Sequence, residues 1–328
     1  MLTSHSNMRA PRSLLIATCA LLLFGSGVQC AAAERSPFKT LVRGSPVKLQ
    51  WRIEWEPPAT IHRIKVEPMN WSTNDVIRWA NFFGLTNRCE PLPGNIVGAP
   101  GWWVRDFFDS SHLNGRLISF SKSENCLSYS SGDDGYRWDL KRHEPLFRNV
   151  PSRDEAVVLA EPLIKELGVD VPWARRANGQ LLTSQRVHGT GFHRRGSTNY
   201  EEAVQQQGVY LYQRIGDGTL LGDEQGAVLV RFVSDRKVSD VEVRIVRERE
   251  TVAVPAVSKA EINEAVSKGN TWICPNLNFG TAVQVIGAEI VYPATGRWQR
   301  DTLRPFYRLH VRKPGECEKE FLFVKATQ

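Results

Sequence analysis

The residue types best suited to chemistry are His188, His193, Arg194 and Arg195, set among Gly189, Gly191 and Gly196. Two imidazoles and two guanidinium groups at this spacing can hold an anion or a metal ion. A solvated basic loop explains the same residues with fewer assumptions, and the glycines miss the spacing of a dinucleotide-binding turn. The second candidate is Trp102-Trp103. Neighbouring residues of a strand face opposite sides, so either one packs on each face of a covered sheet, or one stays exposed to stack on a sugar ring or a partner. Asp106 and Asp109 lie close by, but two carboxylates three residues apart do not make a glycosidase. The chain of 328 residues contains no nucleophile elbow, HExxH helix, phosphate-binding loop or CxxC pair. The expectation is therefore no catalytic residue, no cofactor and no metal site.

Arg9 and Arg12 precede the uncharged run Leu14–Phe24, which ends in the small residues Ala31-Ala32-Ala33. This pattern reads as a cleavable secretory signal, cut after Ala33, and its apolar core falls short of the ~20 residues a membrane span needs. Losing Arg9 and Arg12 lowers the formal charge from +7 by two, to +5. An excess this mild suits an anionic wall polymer or phospholipid surface and is too diffuse to argue for nucleic acid. With 41% hydrophobic and 23% charged residues the composition is that of a folded globular protein.

Cys19 and Cys30 leave with the signal, so Cys89, Cys126, Cys274 and Cys317 remain, an even number for an oxidising compartment. Three pairings are possible. Zinc is disfavoured because the four lack ligand spacing.

Such residues need elements to hold them. Val228, Val230 and Phe232, then Val241, Val243 and Ile245, alternate as the two arms of a hairpin around Ser234–Lys237. Ser258 follows, three residues before Glu261, and opens a capped helix that Gly269 stops. Ser72 with Asp75 and Gly84, and Ser152 with Glu155 and Gly168, repeat this signature, with Pro162 expected to kink or delimit the middle helix. Strands are expected at Leu49–Trp55, Ile61–Val66, Trp102–Phe107, Arg116–Ser121, Cys126–Ser130, Leu181–Val187, Val209–Arg214, Val283–Tyr292, Phe306–Val311 and Glu320–Val324. Residues 189–196 read as a loop, and the Gln-rich stretch after them as polar and irregular. Cys89 lies five residues beyond Gly84, and Cys274 five beyond Gly269, each with a second cysteine about forty residues later. Equivalent staples in two repeats, Cys89–Cys126 and Cys274–Cys317, would explain that offset.

The start Ser152-Arg-Asp-Glu155-Ala156, the stop at Gly168, the strand Gly208-Val-Tyr-Leu-Tyr212 and the Val228–Val243 hairpin resemble PepSY-type units. Ser258–Gly269, followed by Ala288-Glu-Ile-Val-Tyr292 and Pro305-Phe-Tyr-Arg-Leu309, is similar to the closing part of the YycH/YycI class of extracytoplasmic regulators. Asp235-Arg236-Lys237 stands where PepSY hairpins usually carry glycine. The resemblance covers residues 150–325 and implies small α+β modules acting as inhibitors or regulatory partners, with no active-site residues to carry over.

The expected fold class is thus α+β, in two or three disulfide-stapled units, each a PepSY-like or cystatin-like helix on an antiparallel sheet. The expected organisation is a signal at 1–33, a tail at 34–46, and units at 47–150, 151–256 and 257–328. The expected function is non-enzymatic, secreted or periplasmic, through contacts with another envelope or secreted protein, with strand addition at sheet edges as the mode. The competing expectation is an envelope carbohydrate binder or enzyme using Trp102, Trp103 and the His188/His193 loop.

Overall fold

Among the described residues strand accounts for 50% and helix for 15%. The computed structural model describes residues 41–328 except 87, 92–100, 108–114, 122–124, 133–137, 140, 142, 195, 223–226, 276 and 295–301. The expected signal segment lies outside the described residues.

In chain order the elements begin β1 (Val42–Arg43), β2 (Lys48–Trp51), β3 (Thr60–Pro68), α1 (Thr73–Phe82), β4 (Glu90–Pro91), β5 (Gly101–Phe107), β6 (Gly115–Ser121) and β7 (Cys126–Ser130). Then come β8 (Trp138–Asp139), β9 (Glu144–Pro145), α2 (Arg153–Glu166), β10 (Thr183–His193), β11 (Tyr200–Leu211), β12 (Arg214–Ile215) and β13 (Gly218–Gly222). The chain continues through β14 (Val228–Phe232), β15 (Val238–Val243), β16 (Val246–Pro255), α3 (Lys259–Ser267) and β17 (Trp272–Ile273). It closes with β18 (Ala282–Ala294), β19 (Thr302–Leu303), β20 (Phe306–Arg312) and β21 (Glu320–Lys325).

Local signals fold as their chemistry dictates. Ser72, Ser152 and Ser258 each form a complete capping box, the serine hydroxyl accepting from the backbone three residues on and the acid there accepting from the serine N–H. Pro162 sits inside α2 without ending it. The carbonyl deprived of its partner belongs to Val158, which is 71% exposed, so the gap lies on the solvent side of the helix. The β14–β15 hairpin turns without glycine because Asp235 and Arg236 themselves adopt φ of 60° and 58°, and Arg148 O accepts from Asp235 N at 2.8 Å to hold the turn.

Long-range assembly departs from the repeated helix-on-sheet units. One eight-stranded sheet runs β10-β11-β14-β15-β7-β6-β5-β4, merging the first and middle sequence segments through Val241 opposite Tyr129. Val104, Ile118, Tyr129, Val241, Val230 and Val209 form one row across it, all at most 5% exposed, and α1 and α2 cover that face. A second sheet runs β1-β17-β21-β20-β18-β13-β12, with β2 also on β18, and α3 packs beside β2 and β21. Here β2 and β13 lie parallel to β18, pairings that no hairpin repeat produces. A third sheet, β16-β3-β19, contains a strand, β16, whose charged run carried no strand signal. The α+β repeat is therefore replaced by a β-rich fold whose sheets draw strands from distant segments.

The disulfides fall with the repeat. No disulfide is found among the described residues. Cys89 directly precedes β4, and Cys126 begins β7, three strand positions away. At ~4.8 Å per strand the separation is about 14 Å, twice what a bridge spans. Cys274 follows β17, whose Trp272 lies opposite Phe323, whereas Cys317 belongs to the connection between β20 and β21. Burial and then the charge of Glu90 raise the Cys89 pKa, and burial and then Glu320 raise that of Cys274, so neither is an activated thiolate. Without bridges the cysteine count no longer argues for an oxidising compartment.

Candidate interaction surface

Residues expected to form a loop instead complete a long hairpin. Thr183–His193 pairs with Tyr200–Leu211 over eleven positions, with a bulge at Gln205. Only Gln207–Leu211 of β11 continues onto β14, so the outer part of the hairpin projects past the sheet as a two-stranded arm. On its other side β10 is the edge of the sheet. The glycines read as loop residues have a different use: a Cβ on Gly191 would lie 1.6 Å from the Tyr200 hydroxyl oxygen, so that glycine makes room for the phenol ring.

Strand alternation assigns the arm two sides. Arg186 and His188 share the side facing away from α1 and α2, in line with Gly208 and Arg231 on the next two strands. Val187 and Gly189 take the helix side with Val204 and Tyr200. Val187 is 53% exposed, Val204 43% and Tyr200 62%, so three apolar groups lie beside the β10 edge, which β9 approaches and no described strand pairs.

The expected site residues are scattered by this geometry. His188 and His193 are an odd number of residues apart and point to opposite sides of β10, so they do not converge on a metal or an anion. Partial burial, then the charges of Arg186 and Arg231, lowers the His188 pKa and keeps the ring neutral near pH 7. The His193 ring sits edge-on to Tyr200 at 5.6 Å, with Nδ1 3.1 Å from the Asn199 carbonyl. Arg194 is neutralised by Glu144 at 3.3 Å and Glu201 at 3.0 Å. Arg195 lies outside the described residues.

Trp102 and Trp103 divide between the two faces of β5. Trp102, 37% exposed, shares the helix side with buried Val104 and faces Phe120. Trp103 is half-buried on the opposite side, with the Arg105 guanidinium 4.4 Å above its ring. Six strand spacings separate β5 from β10, about 29 Å, so the tryptophan pair and the histidine stretch are separate surfaces.

Two histidine–carboxylate pairs escaped sequence reasoning because their members lie far apart in the chain. Glu289 Oε1 accepts from Arg308 Nε at 2.7 Å and is also bonded to His310 Nε2. Both contacts fall on Oε1 and tie β18 to β20 as an ion pair within the sheet. His62 bonds to Asp217 through its backbone N–H and Nδ1, while its carbonyl accepts from Tyr292 Oη at 2.9 Å. Among the described residues no serine, threonine or cysteine side chain bonds to the His62 ring, so the pair has no nucleophile to activate. Nor do the described residues include a group of three His, Cys, Asp or Glu side chains able to hold a metal ion.

Compared with known proteins, the chain matches no family model, no curated protein and no solved structure.

Proposed function

We propose that this protein is a non-enzymatic binder of polypeptide, taking up an extended segment of another protein by strand addition along β10. The carrying observation is the eleven-residue edge strand itself, whose outer side no described strand pairs and whose flank is lined by Val187, Val204 and Tyr200. An unpaired edge offers main-chain donors and acceptors, and exposed apolar groups beside it supply the burial that makes pairing favourable. The N-terminal pattern of Arg9, Arg12 and Leu14–Phe24 favours a partner in the cell envelope or outside the cell.

The carbohydrate reading keeps partly exposed Trp102 as its support, but it must manage without the histidine stretch about 29 Å away. A photo-crosslinking residue placed at Val187 in the full chain, irradiated in extract of the native host and read by mass spectrometry, tests the proposal. A reproducible protein adduct at position 187 that is absent when the probe replaces Trp102 supports it. Retention on wall polysaccharide, with no adduct at 187, overturns it.

A further inference from the structure

Building on the edge-binding reading, we infer that the segment received by β10 alternates acidic and apolar residues. The first half of the pattern comes from charge. From Thr183 to Gly196 the chain contains no aspartate or glutamate. Arg186 is exposed, and its guanidinium makes no hydrogen bond or ion pair among the described residues. Its neighbour in the row is Gly208, which offers no side chain, and beyond that stands a second guanidinium, Arg231. Asp240 is 3.6 Å from Arg231 and takes up part of that charge. His188 faces the same way, and opposite it Gln206 is neutral. A strand paired to β10 would set its own side chains about 5 Å from Arg186 and His188, two residues apart on one side, where the Arg186 guanidinium favours a carboxylate and repels an ammonium group and the neutral His188 ring offers a polar neighbour.

The second half comes from shape. On the helix side Gly189 has open space where its side chain would be: within 4 Å of a Cβ there only the Ala203 carbonyl oxygen occurs, at 3.5 Å. Val187 precedes this gap, Val204 lies opposite it and the Tyr200 ring, over Gly191, closes its far end. The intervening residues of an added strand point to this side, so an apolar side chain between two acids enters the notch. Toward the hairpin end Glu144 and Glu201 already neutralise Arg194, which restricts the acid preference to the Arg186–His188 half. A second copy of this chain fits poorly, since antiparallel β10 strands would juxtapose two basic edges without an acid in either.

The test titrates the full chain with an acetylated, amidated nonapeptide alternating Glu and Val, and with its Lys–Val counterpart. Amide hydrogen exchange along β10 is followed alongside. Binding of the Glu peptide at least tenfold tighter than the Lys peptide, with slowed exchange confined to the β10 edge, is the expected result. Arg186→Glu, an exposed change that leaves the core untouched, weakens the Glu peptide about fivefold and strengthens the Lys peptide. Equal affinity for the two peptides, or a Glu affinity indifferent to Arg186→Glu, overturns the inference. So does a concentration-dependent dimer that protects β10 without peptide. If the Val187 crosslink captures a partner while the Glu peptide fails to bind, the pattern is wrong and the edge reading stands; if both fail, both are wrong.

Discussion

Among the described residues two long strands end sheets, and they are guarded very differently. β16, ten residues at the edge of the three-stranded sheet, begins Val-Arg-Glu-Arg-Glu, and its charges are engaged by its neighbour β3: Lys65 with Glu250 at 2.5 Å and Arg249 with Glu67 at 3.3 Å. β10, eleven residues at the edge of the first large sheet, carries no acid and leaves Arg186 unpaired among the described residues. The other edge strands among the described residues are shorter: β1, β4, β12 and β19 are two residues long each and β2 is four. Short edges, and edges whose charges are engaged by a neighbour, resist accidental pairing; β10 is long and its Arg186 charge is not engaged among the described residues.

Experiments can break this contrast at decreasing depth. Beneath the β10 sheet, buried Trp79 donates its indole N–H to the Leu167 carbonyl at 3.0 Å, joining α1 to the end of α2. Trp79→Ala is expected to cost about 4 kcal/mol in denaturant unfolding, chiefly by cavity formation, since the Leu167 carbonyl keeps a second donor in the Arg78 guanidinium at 3.1 Å. If it costs no more than an edge substitution, the two-layer packing is wrong. The anchor of β16 is Gln213, 3% exposed, whose amide donates to the Val246 carbonyl at 2.7 Å and accepts from the Val246 N–H at 3.1 Å. Gln213→Ala leaves both backbone groups unsatisfied and should cost about 2 to 3 kcal/mol, with faster hydrogen exchange in β16 than in β10.

The third expectation concerns acid. Burial would raise the pKa of Glu289, but the hydrogen bond from His310 and the charge of Arg308 hold it below its ordinary 4.5. A depressed folded-state pKa means that the stability this carboxylate contributes is complete above 4.5 and disappears as pH falls through the lower folded value. Glu289→Gln should flatten that acid limb and cost about 2 kcal/mol at neutral pH; an unchanged acid limb would count against the pair. The smallest effects are at the edges. Tyr200→Ser and Glu250→Ala should each change stability by less than about 0.5 kcal/mol, and only the former should reduce capture at Val187. Equal loss of capture from both would erase the distinction between β10 and β16.

What could be read from the sequence was what is decided locally. The serine caps and the β14–β15 hairpin depend on residues within a few positions of one another, and they fold as read. Gly189 and Gly191 misled because glycine is ordinarily a turn residue, and the ring of Tyr200 that needs the space beside Gly191 comes after the hairpin turn. β16 was missed because its apolar residues are too few for a period, its pairing with β3 being made by residues nearly two hundred positions earlier. The shared cysteine offset was coincidence: it measured distance along the chain, whereas bridging depends on distance across strands. For the surface, His188 was legible as a residue and Arg186 and Val187 were not, since their meaning comes from the edge position of β10.

The interleaving of distant strands also sets a clock. The Arg43 guanidinium reaches the Gly269 carbonyl, 226 residues away, and β1 joins its sheet only through β17, which rests on β21. Contacts this distant in sequence close slowly and late. Until Glu320–Lys325 settles between β17 and β20, Val42–Arg43 has no sheet to join, so the last strand made governs when the first one folds.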